Sequence, residues 1–128
     1  MAIRIVRLGT VRFPGEGLRI GTVRRPPRGI AKTEFASRNY YDVWLPTLAP
    51  SPETVKQALK VRSDREWNRF AQTYRREMAA TPARYMLDVL AALSHQADFS
   101  VGCYCADEAR CHRSVLRELL LERGAQVK

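Results

Sequence analysis

Cysteine and long apolar segments are both scarce in this chain of 128 residues, and their scarcity excludes two classes of protein. All three cysteines fall within Cys103–Cys111, so they cannot form the dispersed disulfide framework of a small secreted domain. No apolar run approaches the ~20 residues that a membrane-spanning helix needs. The segment Met1–Leu8 is too short and too charged for a signal peptide. We therefore expect a cytoplasmic protein with no membrane partner.

Acidic residues are also few. The chain has 13 Asp and Glu against 22 Lys and Arg, which gives a net charge of +9 and an isoelectric point near 10.1. Such a surplus attracts anions, and most of it is arginine, whose planar group binds phosphate and carboxylate oxygens in pairs. We expect an anionic small molecule or a nucleic acid as the partner. An arginine-rich proteome is the alternative explanation, and nothing in the sequence fixes the oligomeric state.

Alternating apolar residues predict several short strands. The segments Ile3–Leu8 and Leu18–Thr22 alternate and are separated by a turn at Phe13–Gly17, which favours a hairpin. Phe99–Cys105 alternates in the same way. Tyr40–Leu48 is compatible with a short strand or with a turn of helix. The chain therefore starts with strands and returns to one near its end.

The sequence between these predicted strands carries several helix signals. Helices are predicted after Ser51-Pro52, after the capping box Ser63–Glu66, and after Thr81-Pro82, and a fourth ends at Gly124 before a candidate closing strand, Ala125–Lys128. The third helix is expected to turn one apolar side to the core, formed by Tyr85, Met86, Val89, Leu90 and Leu93. The order predicts one compact α/β domain over residues 1–128, a small sheet flanked by about four helices that ends in a strand–loop–helix unit. Ligands of such sheets bind beyond the carboxyl ends of the strands.

The most specific local feature is the group Cys103, Cys105, Cys111 and His112, which lies in that last unit. In the first interpretation the amino end of the last helix activates a thiol and binds an anion. Cys103 or Cys105 is then the nucleophile and His112 the base. Cys111, as the neighbour of His112, is expected to face away.

Two other interpretations of this group stay open. Cysteine and histidine are zinc ligands, but the spacing is unusual, and neighbouring helical residues such as Cys111 and His112 point about 100° apart. Alternatively the group is part of the core, because Cys111 and His112 each lie four residues before the apolar Val115 and Leu116. We expect no cofactor and no metal ligand, with zinc kept as an alternative.

Two further groups are given structural interpretations. His95 is expected to be a solvated residue at the end of the third helix. Trp44, Trp67 and Tyr74 can stack on bases, but their spacing favours the core.

The segment Arg24-Arg25-Pro26-Pro27-Arg28-Gly29 is predicted to be a stiff cationic loop, because its two prolines exclude helix and central strand. Four features form a pattern along the chain: this segment with Lys32, the later Trp44 and Ala49-Pro50-Ser51, the helix with Trp67, Phe70 and Tyr74, and the end with Cys111-His112-Arg113. In these four features the chain resembles the YeaO-like family, domain of unknown function 488. Pro26 stands where that family usually has tryptophan, and either Cys103 or Cys105 corresponds to its first cysteine.

The resemblance implies a compact α/β domain and a site, and it implies no particular reaction. We expect Cys103, Cys105 and His112 to be the catalytic residues. The residues expected to bind the substrate are Arg24, Arg28, Lys32 and Arg113. Of these, Arg28 and Arg113 are predicted to line one pocket with Cys105 and His112.

Overall fold

Four strands form one parallel sheet in the computed structural model, which describes residues 1–128. They are β1 Ile3–Arg7, β2 Leu18–Gly21, β3 Val43–Trp44 and β4 Phe99–Cys103, and their order across the sheet is β1-β4-β2-β3. Because every pair is parallel, all four strands end at the same edge of the sheet. The predicted α/β class is confirmed, and β4, which carries Cys103, lies in the interior of the sheet.

The predicted hairpin of the first two strands is wrong. β1 and β2 do not pair with each other, because β4 lies between them and pairs with both. The connection over residues 8–17 is long enough to return the chain to the opposite edge of the sheet, which a tight turn cannot do. The end of this connection is held against the sheet, because the Glu16 carboxylate accepts hydrogen bonds from Arg19 of β2 and from Ser100 of β4.

Four α-helices complete the domain, as predicted. They are α1 Pro52–Leu59, α2 Asp64–Met78, α3 Ala83–Leu93 and α4 His112–Glu122. The predicted caps are present: the Ser51 hydroxyl accepts from the Thr54 N–H, and the Ser63 hydroxyl accepts from the Glu66 N–H. Short 3₁₀ turns cover Lys32–Glu34, Pro46–Leu48 and Glu108–Arg110. None of the helices is long and apolar enough to cross a membrane.

The predicted inner face of α3 is largely wrong. Its buried residues are Ala83, Leu87, Leu90 and Ala91, whereas Tyr85, Val89 and Leu93 are exposed. The helix carries two overlapping stripes with helical spacing, and the one with the smaller side chains packs inward. Trp44 also differs from the prediction, because it is 41% exposed and its indole N–H donates to the Val23 carbonyl.

The segments that the sequence left open are now defined. Tyr40–Leu48 contains both a short strand, β3, and a 3₁₀ turn. The chain end forms one parallel bridge, between Val127 and Ile3. His95 is exposed, and its Nε2 lies 2.8 Å from the Gly124 carbonyl.

The apolar core has two parts. The larger part joins the four helices to the sheet and includes Phe70 and Tyr74 of α2 and Leu116 of α4. The smaller part lies toward the carboxyl edge of the sheet and consists of Val6, Leu8, Val23, Tyr41, Cys103 and Cys111. Two of the three cysteines are therefore packed among apolar side chains.

Candidate active site

The cysteines meet where β4 ends and α4 begins. Cys103 is the last residue of β4, and Cys111 is the residue before the first turn of α4. Cys105 lies in the connecting loop and is the one exposed cysteine, whereas Cys103 and Cys111 are buried. The strand–loop–helix unit thus gathers three thiols at the edge where ligands of parallel sheets bind.

The thiols lie close to one another and to His112. The Sγ atoms of Cys103 and Cys105 are 3.7 Å apart, and the Cys111 Sγ is 3.8 Å from His112 Nδ1. One ligand atom from each of Cys103, Cys111 and His112 falls within 4.8 Å of the others. This buried cluster can hold a metal ion.

The expectation that Cys111 faces away from this group is wrong. It assumed that Cys111 and His112 are both helical. Cys111 is extended, with φ −126° and ψ 151°, so its side chain turns back toward Cys103 instead of continuing the helical rotation. Adjacent positions in the sequence can therefore serve the same cluster.

The orientation of His112 follows from one hydrogen bond. Its Nε2 lies 2.8 Å from the Thr22 carbonyl oxygen, and because a carbonyl only accepts, Nε2 carries the proton. The other nitrogen, Nδ1, faces the Cys111 thiol. His112 is buried, with the Tyr74 ring packed edge-on at 5.3 Å. Its neutral form thus presents a lone pair to the thiols.

Arg113 lies behind the loop rather than in the open pocket. It is 3% exposed, and its Nη2 donates to the Cys105 carbonyl at 2.6 Å. Its Nε is buried without a partner, and it forms no ion pair with a carboxylate. A buried guanidinium without an acidic partner is costly, so a negative charge nearby would stabilise it.

The three thiols and Arg113 together favour such a charge on Cys105. Hydrogen bonds from Cys103 and Cys111 lower the pKa of the Cys105 thiol to about 3 against the effect of burial, and the positive charge of Arg113 acts in the same direction. The same thiol contacts, together with burial, raise the pKa of Cys103. The hydrogen bond with Cys103 lowers the pKa of Cys111. These shifts favour a negative charge on the exposed Cys105 sulfur and a proton on the buried Cys103.

The cluster opens into a cavity of about 430 Å³. Cys103, Cys105, Cys111 and His112 form one side of it, and cationic residues line it at Arg24, Arg25, Lys56 and Arg110. The remaining walls are mainly apolar and come from Val23, Tyr104, Phe70 and the α1 side chains Val55, Ala58 and Leu59. A mostly apolar pocket with a few convergent polar groups is the usual form of a small-molecule site.

The structure brings together some of the predicted residues and separates others. Cys103, Cys105 and His112 line the same cavity. Arg28 and Arg113 are not among its lining residues, so the predicted four-residue pocket is wrong in those two members. Arg28 and Lys32 are exposed, and Lys32 lines a neighbouring cavity of about 490 Å³ beside Trp44.

Arg24 lines the cavity but is largely occupied by the protein itself. Its Nε donates to the Pro50 carbonyl, and its Nη2 donates to the carbonyls of Pro46 and Ala49. These bonds attach the proline loop to the start of α1. The loop is irregular, as its prolines predict, but this arginine is not solvated.

Two contributors to the cavity carried no clear sequence signal. Tyr104 stands at an outward position of the strand pattern, yet its hydroxyl donates to the Arg25 carbonyl at 2.8 Å and fixes the proline loop against the thiols. The α1 wall includes Leu59, which is 73% exposed, and an exposed apolar residue is not marked by helical periodicity. Only the packing of α1 against α2 places it over the site.

Comparison with protein families adds an identification to this geometry. The model of the family DUF488-N3a, described as the active DUF488-N3 subclade, matches residues 3–124. The chain belongs to this family. The assignment confirms the resemblance to the YeaO-like proteins, domain of unknown function 488. Comparisons with curated proteins and with solved structures give no significant match.

Proposed function

We propose that this DUF488-N3a chain is a small enzyme whose reacting group is the Cys105 thiolate and whose substrate carries a phosphate or another anionic group. One observation carries the proposal: the single exposed cysteine lies at an apolar cavity, in contact with a buried thiol and backed by a buried arginine. The thiolate is the nucleophilic form of cysteine. A thiol that only completes a core would be buried, as Cys103 and Cys111 are.

His112 is the base in this proposal. Its Nδ1 faces the Cys111 sulfur, and the Cys103 thiol donates to the Cys105 sulfur at 3.7 Å. We assign to Nδ1 the proton that Cys105 gives up on becoming a thiolate, while Nε2 stays bonded to Thr22. The sulfur of Cys105 then bonds to an electrophilic centre, and the leaving group departs with its electron pair and takes the proton from His112.

Substrate binding is assigned to the cations at and around the cavity. Arg25, Lys56 and Arg110 line it directly, although Arg110 also pairs with Asp64. Arg24 contributes its remaining Nη1. Arg113 acts on the nucleophile rather than on the substrate. Arg28 and Lys32 lie outside, so they serve as contacts only for a longer anion such as an oligonucleotide.

Competitive alkylation tests the proposal. The folded, reduced protein is treated with substoichiometric iodoacetamide near neutral pH, and the labelled peptides are quantified by mass spectrometry. We expect Cys105 to be labelled faster in the folded chain than in urea, where its thiol is mostly protonated at that pH. Cys103 and Cys111 are expected to stay unlabelled until the chain unfolds.

The variant C105S supplies the control. It keeps both buried thiols, so it is expected to fold normally and to lose the fast labelling. If Cys105 reacts no faster in the folded chain than in urea, the proposed nucleophile is wrong. Fast labelling of Cys103 or Cys111 in C105S would identify a buried thiol as the reacting group and would also contradict the assignment.

A further inference from the structure

We propose that Cys103, Cys111 and His112 bind a zinc ion, with Cys105 as the fourth, exchangeable ligand on the cavity side. Two sulfur atoms and one imidazole nitrogen are the ligand types that zinc prefers, and catalytic zinc sites commonly combine three protein ligands with one open position. The three buried residues supply the firm part of the site. The exposed Cys105 supplies the part that a substrate can displace.

The distances support a tetrahedral site. Zinc–sulfur bonds of about 2.3 Å place neighbouring ligand atoms of a tetrahedron about 3.8 Å apart. The Cys103–Cys105 and Cys111–His112 pairs are separated by 3.7 and 3.8 Å. The ligand atoms of the trio Cys103, Cys111 and His112 lie within 4.8 Å of one another, which is about 1 Å wider than the spacing in a tetrahedral zinc site.

The second argument is the fixed orientation of His112. A histidine that binds a metal usually donates its other ring N–H to a carboxylate or carbonyl, which sets the tautomer and aims the lone pair. Here Nε2 donates to the Thr22 carbonyl at 2.8 Å, and Nδ1 is directed at Cys111. A histidine used only for packing does not need its free nitrogen aimed at thiols.

The third argument is the charge of Arg113. This side chain is 3% exposed and has no carboxylate partner, and its Nε is buried without a hydrogen bond. A zinc ion bound by three thiolates and a neutral imidazole carries a single net negative charge. Because Arg113 already donates to the Cys105 carbonyl, it is placed to neutralise that charge.

Zinc changes how Cys105 is kept deprotonated. With zinc bound, His112 no longer serves as the base, because its Nδ1 lone pair is then used as a ligand. The metal site does not depend on Cys105 being a nucleophile, so the two proposals can fail separately. Zinc with an inert Cys105 supports only the metal site, and a reactive Cys105 without metal supports only the nucleophile.

Metal content and cobalt substitution test the zinc site. Untagged protein is expressed in zinc-supplemented medium, desalted and analysed for metal, and we expect close to one zinc per chain. Metal-free protein titrated with Co²⁺ is expected to show thiolate-to-cobalt charge-transfer absorption and the strong visible bands of tetrahedral Co²⁺. The end point is expected at one equivalent, and added zinc is expected to displace the cobalt.

Variants then assign the ligands. H112N is expected to lose the tetrahedral cobalt spectrum, whereas H95N, which changes the exposed histidine, is expected to keep it. C105S is expected to keep bound cobalt with reduced charge-transfer intensity, because one thiolate is removed. Wild-type protein that folds but binds neither zinc nor cobalt would overturn the proposal without any variant. An H112N spectrum identical to wild type would also overturn it.

Discussion

At the scale of single residues, the structure uses its buried charges in two ways. Arg19 and Glu16 form a closed pair whose side chains are 0% and 1% exposed. Arg19 also donates to two backbone carbonyls, and Glu16 accepts from Ser100. Arg113, equally buried, has no acidic partner. The first arrangement pairs its two charges with each other, whereas the second leaves a positive charge without a carboxylate beside the thiols.

The Glu16 pair predicts how stability depends on pH. Burial alone would raise the pKa of Glu16, but hydrogen bonds from Arg19, Ser100 and the Phe13 N–H outweigh it and lower the pKa from 4.5 to about 2. A carboxyl with a depressed folded-state pKa stabilises the fold above its unfolded pKa and loses that contribution as the pH falls. We expect the free energy of unfolding to decline between about pH 4.5 and pH 2.

The variant E16Q tests this assignment by urea unfolding at several pH values. At pH 7 it is expected to be less stable by about 3–5 kcal/mol, because Arg19 is left as an unpaired buried charge. Its decline in acid is expected to be shallower than that of wild type. E34Q, at an exposed position, is the control and is expected to behave like wild type. An E16Q chain as stable as E34Q would contradict the assignment.

At the scale of secondary-structure elements, the sequence predicts which helices and strands exist better than it predicts which of them pack together. Caps at Ser51 and Ser63 were predictable because capping is local. The position of β4 between β1 and β2 was not, because nothing in either strand marks its neighbour. The inner face of α3 failed for a related reason: two stripes have the same period, and only packing selects between them.

The turn before β2 offers a test at this scale. Gly15 and Gly17 both have positive φ, at 71° and 78°, so an alanine at either is strained by about 1–2 kcal/mol. The two glycines differ in the space available for a side chain. A Cβ on Gly17 would meet the Asp98 carbonyl oxygen at 2.0 Å, whereas nothing lies within 4 Å of one on Gly15.

We therefore expect G17A to be markedly less stable than G15A, because the backbone before β4 must move to admit the methyl group. Urea unfolding of the two variants gives the comparison. Equal losses of stability would show that the Gly17–Asp98 approach is not a tight contact in the folded chain.

At the scale of the whole molecule, the site was predictable in part. The alternation of apolar residues up to Cys103 predicted a strand that ends at the thiols. Because ligands of parallel sheets bind beyond the carboxyl ends of the strands, the thiols and His112 were expected at that edge, and the structure has them there. Sequence could not predict the extended conformation of Cys111, the burial of Arg113, or the α1 wall, because each depends on packing between distant segments. Part of the positive charge is likewise used internally, as at Arg19 and Arg24.

The remaining cations at the cavity make the central claim measurable. Cys105 is proposed to be a reactive thiolate in a pocket that selects anions through Arg25, Lys56 and Arg110. Alkylation by anionic iodoacetate and by neutral iodoacetamide separates this pocket from an ordinary exposed thiol. The informative quantity is the ratio of the two rate constants at Cys105, measured in the folded chain and in the chain unfolded in urea.

We predict a larger iodoacetate-to-iodoacetamide ratio in the folded chain than in the unfolded chain, with iodoacetate competed by inorganic phosphate. The ratio is expected to fall in R25Q, which removes one cation from the cavity, and to stay unchanged in K60Q, which removes an exposed cation outside it. A folded-state ratio equal to or below the unfolded one, with R25Q indistinguishable from K60Q, would contradict an anion-selecting thiol site.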